Sequence, residues 1–447
     1  RRGGPGVRAS CWRTLLGVAV LSVSLFTACG APSPRSMDTA EDVRPTDHRM
    51  VTADRVDVTI TSRPFDLSTL PRIALNAPRR IASPKAEVDL RPPLEVPSVV
   101  VQERDTATER SSLVATRPVH RRVVPLRRLP REAVKEPSVR ERNPDCFSCF
   151  SKNQGLPHDV AHAMLEDRDG QLWFATGAGL ARYDGHAYTR IGEAEGMPAA
   201  SVWCLLEDRN GHIWFGCSDG TVGRIDGLTL TLYTDSLLPA RQGITSLAED
   251  RAGRVWIGRE ADGLALLHGD SLTVWTHPGR PGADELLSLH WHHDGLWIGT
   301  RGYGAARFDG TAFAWHHLPN DTVRQVFSDA DGALWFCTNG GVVHARDGHF
   351  AAYGRQQGLP SEAVRRGLAA SDGTLWFATQ HDGVFSIRQG RLRHLTETSG
   401  LPTNEIRSLV LTRRGTLWVG TSGDGACRYD GHRFRHWARG AEVPGTA

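Results

Sequence analysis

The sequence predicts an all-β protein, a seven-bladed β-propeller with four antiparallel strands in each blade. Three observations support this. A tryptophan recurs seven times with gaps of 38 to 42 residues, which indicates a repeat architecture. Short apolar stretches surround each tryptophan, and Asp-Gly or Asn-Gly pairs, typical of hairpin turns, separate many of them. The recurring residues are Trp173, Trp214, Trp256, Trp297, Trp335, Trp376 and Trp418.

Each copy of the pattern contains four predicted strands in a fixed order. A first strand such as "VWCLLED" is followed by an Asp/Asn-Gly turn and a tryptophan-containing strand such as "IWFG". A Gly-containing loop leads to a third strand, "GLARYDG" in the first copy, and then to a fourth, "AYTRI". One such sheet cannot bury both of its apolar faces, so adjacent copies must cover them. We expect the tryptophans to fill the space between neighbouring blades.

The closure of the ring has two solutions. The stretch "CFSCFSKNQGLP", which contains Phe147, aligns with the fourth strand of a copy, and the last copy has a predicted outer strand of its own near Phe434–Trp437. Either the N-terminal strand completes the final blade or it adds a fifth strand there. In both cases residues 145–447 form the propeller.

The N-terminus has the pattern of an export signal. Four arginines precede the apolar run "LLGVAVLSVSLFTA", which suits a signal-peptide core and is short for a membrane span. The run ends at Cys29, which resembles the lipidated cysteine of bacterial lipoproteins. We expect residues 1–29 to be a lipoprotein-type signal peptide and the protein to be periplasmic or on the cell surface, held to the membrane by lipid. An ordinary secretory signal is the alternative.

Residues 30–144 contain 15 prolines and a single aromatic residue, Phe65. Such a segment buries little apolar surface, so we predict a disordered, Pro/Arg-rich tether. Residues 1–145 carry 25 Lys and Arg against 17 Asp and Glu, whereas the remaining residues carry 28 against 33. The repeats are thus mildly acidic, which argues against nucleic acid as a partner.

Export places the cysteines in an oxidising compartment. Cys146 and Cys149 form a CxxC that lacks the His of a haem attachment site and the second CxxC of a zinc site. We therefore expect either a local disulfide or two free thiols there. Cys204 and Cys217 are a second candidate pair, across a hairpin.

A ring of candidate ligand-binding residues emerges when the copies are aligned on their tryptophans. First strands usually line the channel of a propeller, so we expect the residue one position into each first strand to lie at the channel mouth. Three arginines and a histidine would then stand side by side and suit carboxylate, sulfate or phosphate, while a tryptophan suits a sugar face. Alternatively, each arginine pairs with a nearby carboxylate. The seven residues are His162, Trp203, Thr245, Leu287, Arg324, Arg365 and Arg407.

The loops that follow the tryptophan strands are a second candidate site, because recognition loops vary more than the strands that carry them. Their polar residues are Arg259, Glu260, Arg301, Tyr303, Asn339, Gln380, His381 and Asp382. The "DRDG" and "DADG" stretches are interpreted as turns rather than calcium loops, and "HWHHD" as strand rather than a metal site. No catalytic triad or carboxylate pair stands out, so we expect no cofactor, no metal and no catalytic residue.

The repeated pattern "GLP…V…L.ED..G.LWFGT..GL.RYDG..F..Y" resembles the two-component regulator propeller repeat over residues 145–437. The resemblance implies the periplasmic input module of a sensor histidine kinase, which senses carbohydrates among other ligands. It also extends to propeller lyases that act on cyclic peptides, although no matching catalytic motif is found.

The expected function is therefore an exported, non-enzymatic propeller that binds a small molecule or glycan, anionic on the ring hypothesis, or a partner protein. One alternative is a lyase or hydrolase that uses His162 and the arginine ring. Another is the N-terminal part of a truncated sensor histidine kinase.

Overall fold

Antiparallel strands make up almost all of the fold in the computed structural model. It describes residues 87–96, 99–104, 113–127, 129–140, 143, 145–235, 242–277, 280, 282–293 and 295–429, all within one compact unit, Arg80–Ala447. The predicted signal peptide, Cys29 and the outer strand near residues 434–437 lie outside the described residues. The all-β prediction is confirmed.

Six strands precede the repeats: β1 (Val88–Asp89), β2 (Leu94–Val96), β3 (Val99–Arg104), β4 (Leu113–Pro125), β5 (Arg131–Ala133) and β6 (Phe147–Phe150). Units 1 to 3 follow: β7–β10 (Ala161–Glu166, Leu172–Thr176, Gly179–Tyr183, Ala187–Ile191), β11–β14 (Val202–Glu207, Ile213–Cys217, Val222–Asp226, Thr229–Asp235) and β15–β18 (Ile244–Glu249, Val255–Arg259, Leu264–His268, Ser271–Thr276). Units 4 and 5 are β19–β22 (Leu286–His292, Gly295–Thr300, Ala305–Phe308, Ala312–His317) and β23–β26 (Val323–Ser328, Leu334–Thr338, Gly341–Arg346, His349–Tyr353). Units 6 and 7 are β27–β30 (Val364–Ala369, Leu375–Thr379, Val384–Arg388, Arg391–Leu395) and β31–β33 (Ile406–Leu411, Leu417–Thr421, Ala426–Tyr429).

The first strands of the units form a closed series. Within a unit each strand pairs with the next, so the first strand is the inner edge of its sheet. Each first strand contacts that of the following unit, and β31 contacts β7. The seven inner strands therefore surround a central channel.

Aspartates at the first turn hold four of the recurring tryptophans. In these units the Asp Oδ1 atom accepts two backbone N–H groups of the turn, and Oδ2 accepts the indole N–H six residues later at 2.8–3.0 Å. The pairs are Asp167–Trp173, Asp208–Trp214, Asp250–Trp256 and Asp329–Trp335. Six of the seven tryptophans are buried, and Trp376 is half-buried. The indoles thus fix both the turn and the packing between units.

Short 3-10 turns precede units 1, 2, 6 and 7 and explain the glycine of the recurring "GLP" or "GMP". Each turn ends at a glycine with a left-handed backbone, φ 96° to 114°, which other residues rarely adopt. The turns are Lys152–Gln154, Glu193–Glu195, Arg355–Gln357 and Glu397–Ser399.

Residues 88–133, which we call the N-terminal belt, contain strands, which corrects that part of the disordered tether predicted over residues 30–144. Five strands of the belt pair with the outermost strands of the units in reverse order: β1 with unit 6, β2 with unit 5, β3 with unit 4, β4 with units 3 and 2, and β5 with unit 1. These sheets therefore contain a fifth strand beyond the four predicted. The belt needs little apolar surface of its own because each unit offers an unpaired outer edge. Prolines such as Pro118 are tolerated on a strand at that position.

The closure of the ring is resolved by β6, which pairs with β33 and completes unit 7. Cys149 and Cys427 lie opposite each other in this pairing and form a disulfide. Both cysteine predictions were therefore wrong: Cys149 does not pair with Cys146, and Cys204 and Cys217 are free thiols, as is Cys337. The bridge joins residues 278 positions apart, which only the closed ring brings together.

Candidate functional site

A β-bulge occurs at the same place in all seven inner strands. The pairing register between the first and second strands shifts there, and the residue at the shift is in every case the candidate ring residue. All seven are half-buried. Bulges redirect a side chain out of the regular alternation, so one backbone feature presents His162, Trp203, Thr245, Leu287, Arg324, Arg365 and Arg407 at the start of the channel.

The ring residues share a face with the loops that follow the tryptophan strands. The Arg324 Nε atom donates to Asn339 Oδ1 at 2.6 Å, and Arg407 Nε donates to Ser422 Oγ at 3.0 Å. The two candidate sites predicted from the sequence therefore meet at one mouth of the channel.

Units 5 to 7 and unit 1 make one half of this mouth cationic. Burial, followed by the charge of Arg407, lowers the pKa of Arg365 to about 10. Burial and then the charge of Arg301 lower the pKa of Arg324. Both guanidinium groups nevertheless remain protonated at neutral pH. Like charges are thus held close together in a partly dehydrated site.

The described residues offer these arginines no carboxylate within ion-pair distance. Within the part of the chain that the structure describes, no ion pair joins Arg324, Arg365 or Arg407 to an acidic side chain. The charge of Glu405 acts on Arg365 and raises its pKa, but the Glu405 carboxylate lies against another side chain, 3.8 Å from the Nδ1 atom of His381. The Nε atom of Arg365 is also buried without a hydrogen-bond partner. The alternative in which each ring arginine is neutralised by a carboxylate is therefore wrong for the described residues.

His162 stands beside this arginine cluster as a neutral imidazole. Burial, Arg407 and His158 together lower the pKa of His162 to about 4. At neutral pH it can accept or donate a hydrogen bond without adding charge.

The ring residues in the other half of the mouth are uncharged. The indole of Trp203 lies on Gly243, since a Cβ atom there would be 2.1 Å from the ring. Thr245 has a structural role: its hydroxyl contacts the carbonyl oxygens of Gly258 at 3.1 Å and Leu286 at 2.7 Å. Leu287 completes this side. An aromatic and aliphatic wall thus faces the arginines.

The polar loop residues predicted as a second site lie partly at the rim of the channel mouth and partly in the protein interior. Arg301 pairs with Glu260 at 3.4 Å and Glu285 at 2.8 Å, and the Tyr303 hydroxyl accepts a hydrogen bond from Arg280 at 3.1 Å.

On the other side of the rim, the backbone N–H of Gln380 bonds to Ala363, and that of Asp382 bonds to Thr379. His381 is exposed. These loop side chains stay accessible at the rim.

Arg259 corrects one candidate. Its side chain is 1% exposed and forms ion pairs at 2.7 Å with Asp235 and with Asp262. Arg117 of the belt reaches the same two carboxylates, at 3.5 and 2.6 Å. Arg259 therefore belongs to a buried network that fastens β4 to the ring, and its guanidinium is not available to a ligand.

Arg366 is a site residue that sequence reasoning missed. It follows the bulge directly, and its Nη1 atom donates to the carbonyl of Arg324 at 2.9 Å. It also lines a cavity of about 260 Å³ inside the channel, together with Trp203, Thr245 and Leu287. The available signal was the doubled arginine at positions 365 and 366, of which only the first fell in the aligned column.

Four segments of the chain match the model of a known protein family. The two-component regulator propeller model matches residues 155–178, 196–219, 317–340 and 400–423. Four of the seven units thus match the two-component regulator propeller repeat. Each matched segment spans the first two strands of a unit, and together they include His162, Trp203, Arg324 and Arg407. A search of curated protein sequences finds no match.

Solved structures similar to these repeats are β-propellers. The extracellular domain of BT3049 from B. thetaiotaomicron, described as a hybrid two component system, matches with a TM-score of 0.56 and 21% identity, covering 64% of this chain and 41% of that one. Virginiamycin B lyase from Staphylococcus aureus matches with a TM-score of 0.53 and 15% identity, covering 63% of this chain and 98% of that one. At these identities the likeness shows the fold alone. This chain thus matches less than half the length of the BT3049 domain.

Two features are absent from the described residues. No group of three or more His, Cys, Asp or Glu side chains there is arranged to hold a metal ion. No helix in the same residues is long and apolar enough to span a membrane.

Proposed function

We propose that the chain is the ligand-binding module of an exported sensory protein, a seven-bladed propeller that binds an anionic ligand at its channel mouth. The observation that carries the proposal is the cluster of Arg324, Arg365 and Arg407 without carboxylate partners. A buried or half-buried charge without a counter-charge is costly, and a bound anion would offset that cost. The regulator propeller repeats support a sensory role.

The ligand class follows from the two halves of the mouth. Arginine forks bind carboxylates and sulfates, and the indole of Trp203 on the opposite side suits the apolar face of a sugar ring. We therefore propose an acidic glycan or sugar acid. Attachment to the membrane through Cys29 is part of the same proposal, as is the link to a downstream kinase.

Binding is favoured over catalysis by the state of His162. A general base works best with a pKa near the operating pH, and a pKa of about 4 makes this imidazole a weak base at neutral pH. A lyase that uses His162 remains the second candidate because the fold is shared with virginiamycin B lyase. Turnover of oligosaccharides or cyclic peptides by the purified protein would favour that candidate.

The test compares two triple variants that remove the same charge. We expect the wild type to bind oligogalacturonate in calorimetry and the variant with Arg324→Ala, Arg365→Ala and Arg407→Ala to have lost that binding. Neutral malto-oligosaccharide should bind neither the wild type nor this variant. The control removes three exposed arginines from the third and fourth strands of units 5 and 6: Arg346→Ala, Arg388→Ala and Arg391→Ala. Equal binding by the two triple variants, or none by the wild type, would refute the proposal.

A further inference from the structure

The cavity behind the mouth contains a guanidinium that the fold uses only in part. The Nη1 atom of Arg366 bonds to the carbonyls of Arg324 and Arg365, at 2.9 and 3.4 Å. Its Nε and Nη2 atoms form no hydrogen bond with the described residues, and neither atom is fully buried. Arg366 is also one of the residues that line the cavity.

No acidic side chain balances this charge. The cavity wall includes no Asp or Glu among the described residues, and its other titratable groups are Cys204 and His290. Burial raises the pKa of Cys204 to about 12 and lowers that of His290 to about 4, so both are neutral at pH 7. Burial also lowers the pKa of Arg366, the direction expected of a poorly hydrated cation without a counter-ion.

Other side chains at the position after the bulge are occupied by the fold. Ser246 accepts the N–H of Leu289, Ser288 accepts that of Val326, and Gln325 accepts that of Gly367. These bonds join neighbouring inner strands and leave no free charge. Among the residues that follow a bulge, Arg366 combines such a bond with two further donors, Nε and Nη2, that the described residues leave unbonded.

The size and polarity of the cavity define what it can hold. Its wall is mainly polar because the inner strands are sheet edges whose backbone groups turn toward the channel. A volume of about 260 Å³ equals roughly nine water molecules at about 30 Å³ each. This is room for an oxyanion with part of its hydration shell, or for one acidic sugar residue.

We propose that Arg366 forms an oxyanion-binding site inside the channel, behind the mouth cluster. The ligand is a phosphate, sulfate or carboxylate group, held by the fork of Nε and Nη2 and by backbone N–H groups of the inner strands. It is either a free ion or the acidic group of a polar ligand. The site deepens the proposed function, although it requires only Arg366 and the cavity.

Calorimetry with the full chain tests the site, using inorganic phosphate, inorganic sulfate, glucuronate and, as a neutral control, glucose. We expect at least one anion to bind the wild type and its affinity to fall at least tenfold in Arg366→Gln. Arg366→Lys, which keeps the charge, should retain more affinity than Arg366→Gln, and Arg346→Ala should match the wild type. Binding of an inorganic ion identifies a free-ion site, whereas binding of glucuronate alone identifies the acidic group of a larger ligand.

A second measurement covers the case in which Arg366→Gln does not fold. Wild-type crystals grown with selenate should show an anomalous scattering peak beside Arg366. The inner site would be overturned by no binding of any anion, by equal affinities of the wild type and a folded Arg366→Gln, or by an inorganic ion that binds in calorimetry while selenate gives no peak there. Glucuronate that binds but leaves no electron density beside Arg366 would overturn it as well. Failure of oligogalacturonate to bind, with ion binding that still requires Arg366, would overturn the proposed glycan function and leave the inner site standing.

Discussion

At the scale of single residues, one aspartate in each of four units both stabilises the first turn and binds the indole of the recurring tryptophan. Its Oδ1 atom accepts N–H groups of the first turn, and its Oδ2 atom accepts the indole N–H, as in Asp329–Trp335 at 2.9 Å. The indole is thereby buried with its polar atom satisfied, which removes the main cost of burying tryptophan.

Replacement of Trp335 by alanine tests this arrangement. Trp335 is 7% exposed and lies near the rings of His344 and Phe377. We expect Trp335→Ala to lower the free energy of unfolding by about 3–5 kcal/mol, measured by urea denaturation. Leu228, which is 72% exposed, supplies the control Leu228→Ala. Similar unfolding midpoints for the two variants would show that the tryptophan does not fill a space between units.

The buried histidines predict how stability depends on pH. Burial lowers the pKa of His162 and of His290 to about 4, below the usual value of 6.5. Between these values the unfolded chain binds more protons than the folded one, so stability falls as pH drops from about 6.5 to 4. The double variant His162→Asn/His290→Asn should show a flatter decline over that window, and His349→Asn, at an exposed position, should not. A wild-type unfolding free energy that stays constant over that window would contradict the assignment.

How far the site could be predicted depends on what each residue touches. Alignment on the tryptophans located the ring because the bulge precedes the indole by 11 residues in six units and by 10 in unit 4. Arg259 was misassigned because its partner Asp235 belongs to the preceding unit, 24 positions away. Arg366 was missed because its neighbour in sequence occupied the aligned column. Sequence spacing finds periodic positions, and it does not show which charges the fold neutralises.

At the scale of elements, the belt shows a limit of composition as a guide to order. Proline-rich, aromatic-poor segments lack the apolar surface to fold alone, which is why disorder was predicted. The belt strands instead rely on hydrogen bonds to existing sheet edges, with local anchors such as Val119 and Leu126, both buried. The four repeat strands of a unit were predictable because each copy is consistent with the others, and the added strand has no repeat.

Arg117 is the charged anchor of the belt. Arg117→Met keeps the length of the side chain but removes the ion pairs of Arg117 with Asp235 and Asp262, both of which also pair with Arg259. We expect a loss of about 2 kcal/mol in the free energy of unfolding, since a hydrogen-bonded charge pair is broken. Arg121→Met, at an exposed position of the same strand, is the matched control. If both variants unfold at the wild-type denaturant concentration, the network does not hold the belt.

At the scale of the whole molecule, arginines are treated differently at the two ends of the inner strands. Beyond the ends of β7 and β11, Arg168 pairs with Glu207 of the next unit at 2.8 Å, and Arg209 pairs with Glu249 at 2.7 Å. These pairs link neighbouring units. At the mouth, where the inner strands begin, the described residues offer Arg324, Arg365 and Arg407 no such partner. Arginines thus link neighbouring units at one end of the inner strands, whereas the ring arginines at the other end are not neutralised by carboxylates of the described residues.

Closure of the ring joins the two halves of the chain, and the Cys149–Cys427 disulfide fixes that joint. Unit 7 takes three strands from the C-terminal part and β6 from the N-terminal part, so opening this unit releases the contact between units 7 and 1 as well.

A cross-link over 278 positions restricts the unfolded chain strongly, and its removal should cost about 2–5 kcal/mol. Cys149→Ala/Cys427→Ala should therefore melt below the wild type in the absence of reductant. Dithiothreitol should lower the melting temperature of the wild type and of Cys146→Ala, but not that of the double variant. Peptide mapping without reduction should recover Cys149 and Cys427 in one linked fragment, and a Cys146–Cys149 fragment in its place would mean that the ring closes through β-strand pairing alone.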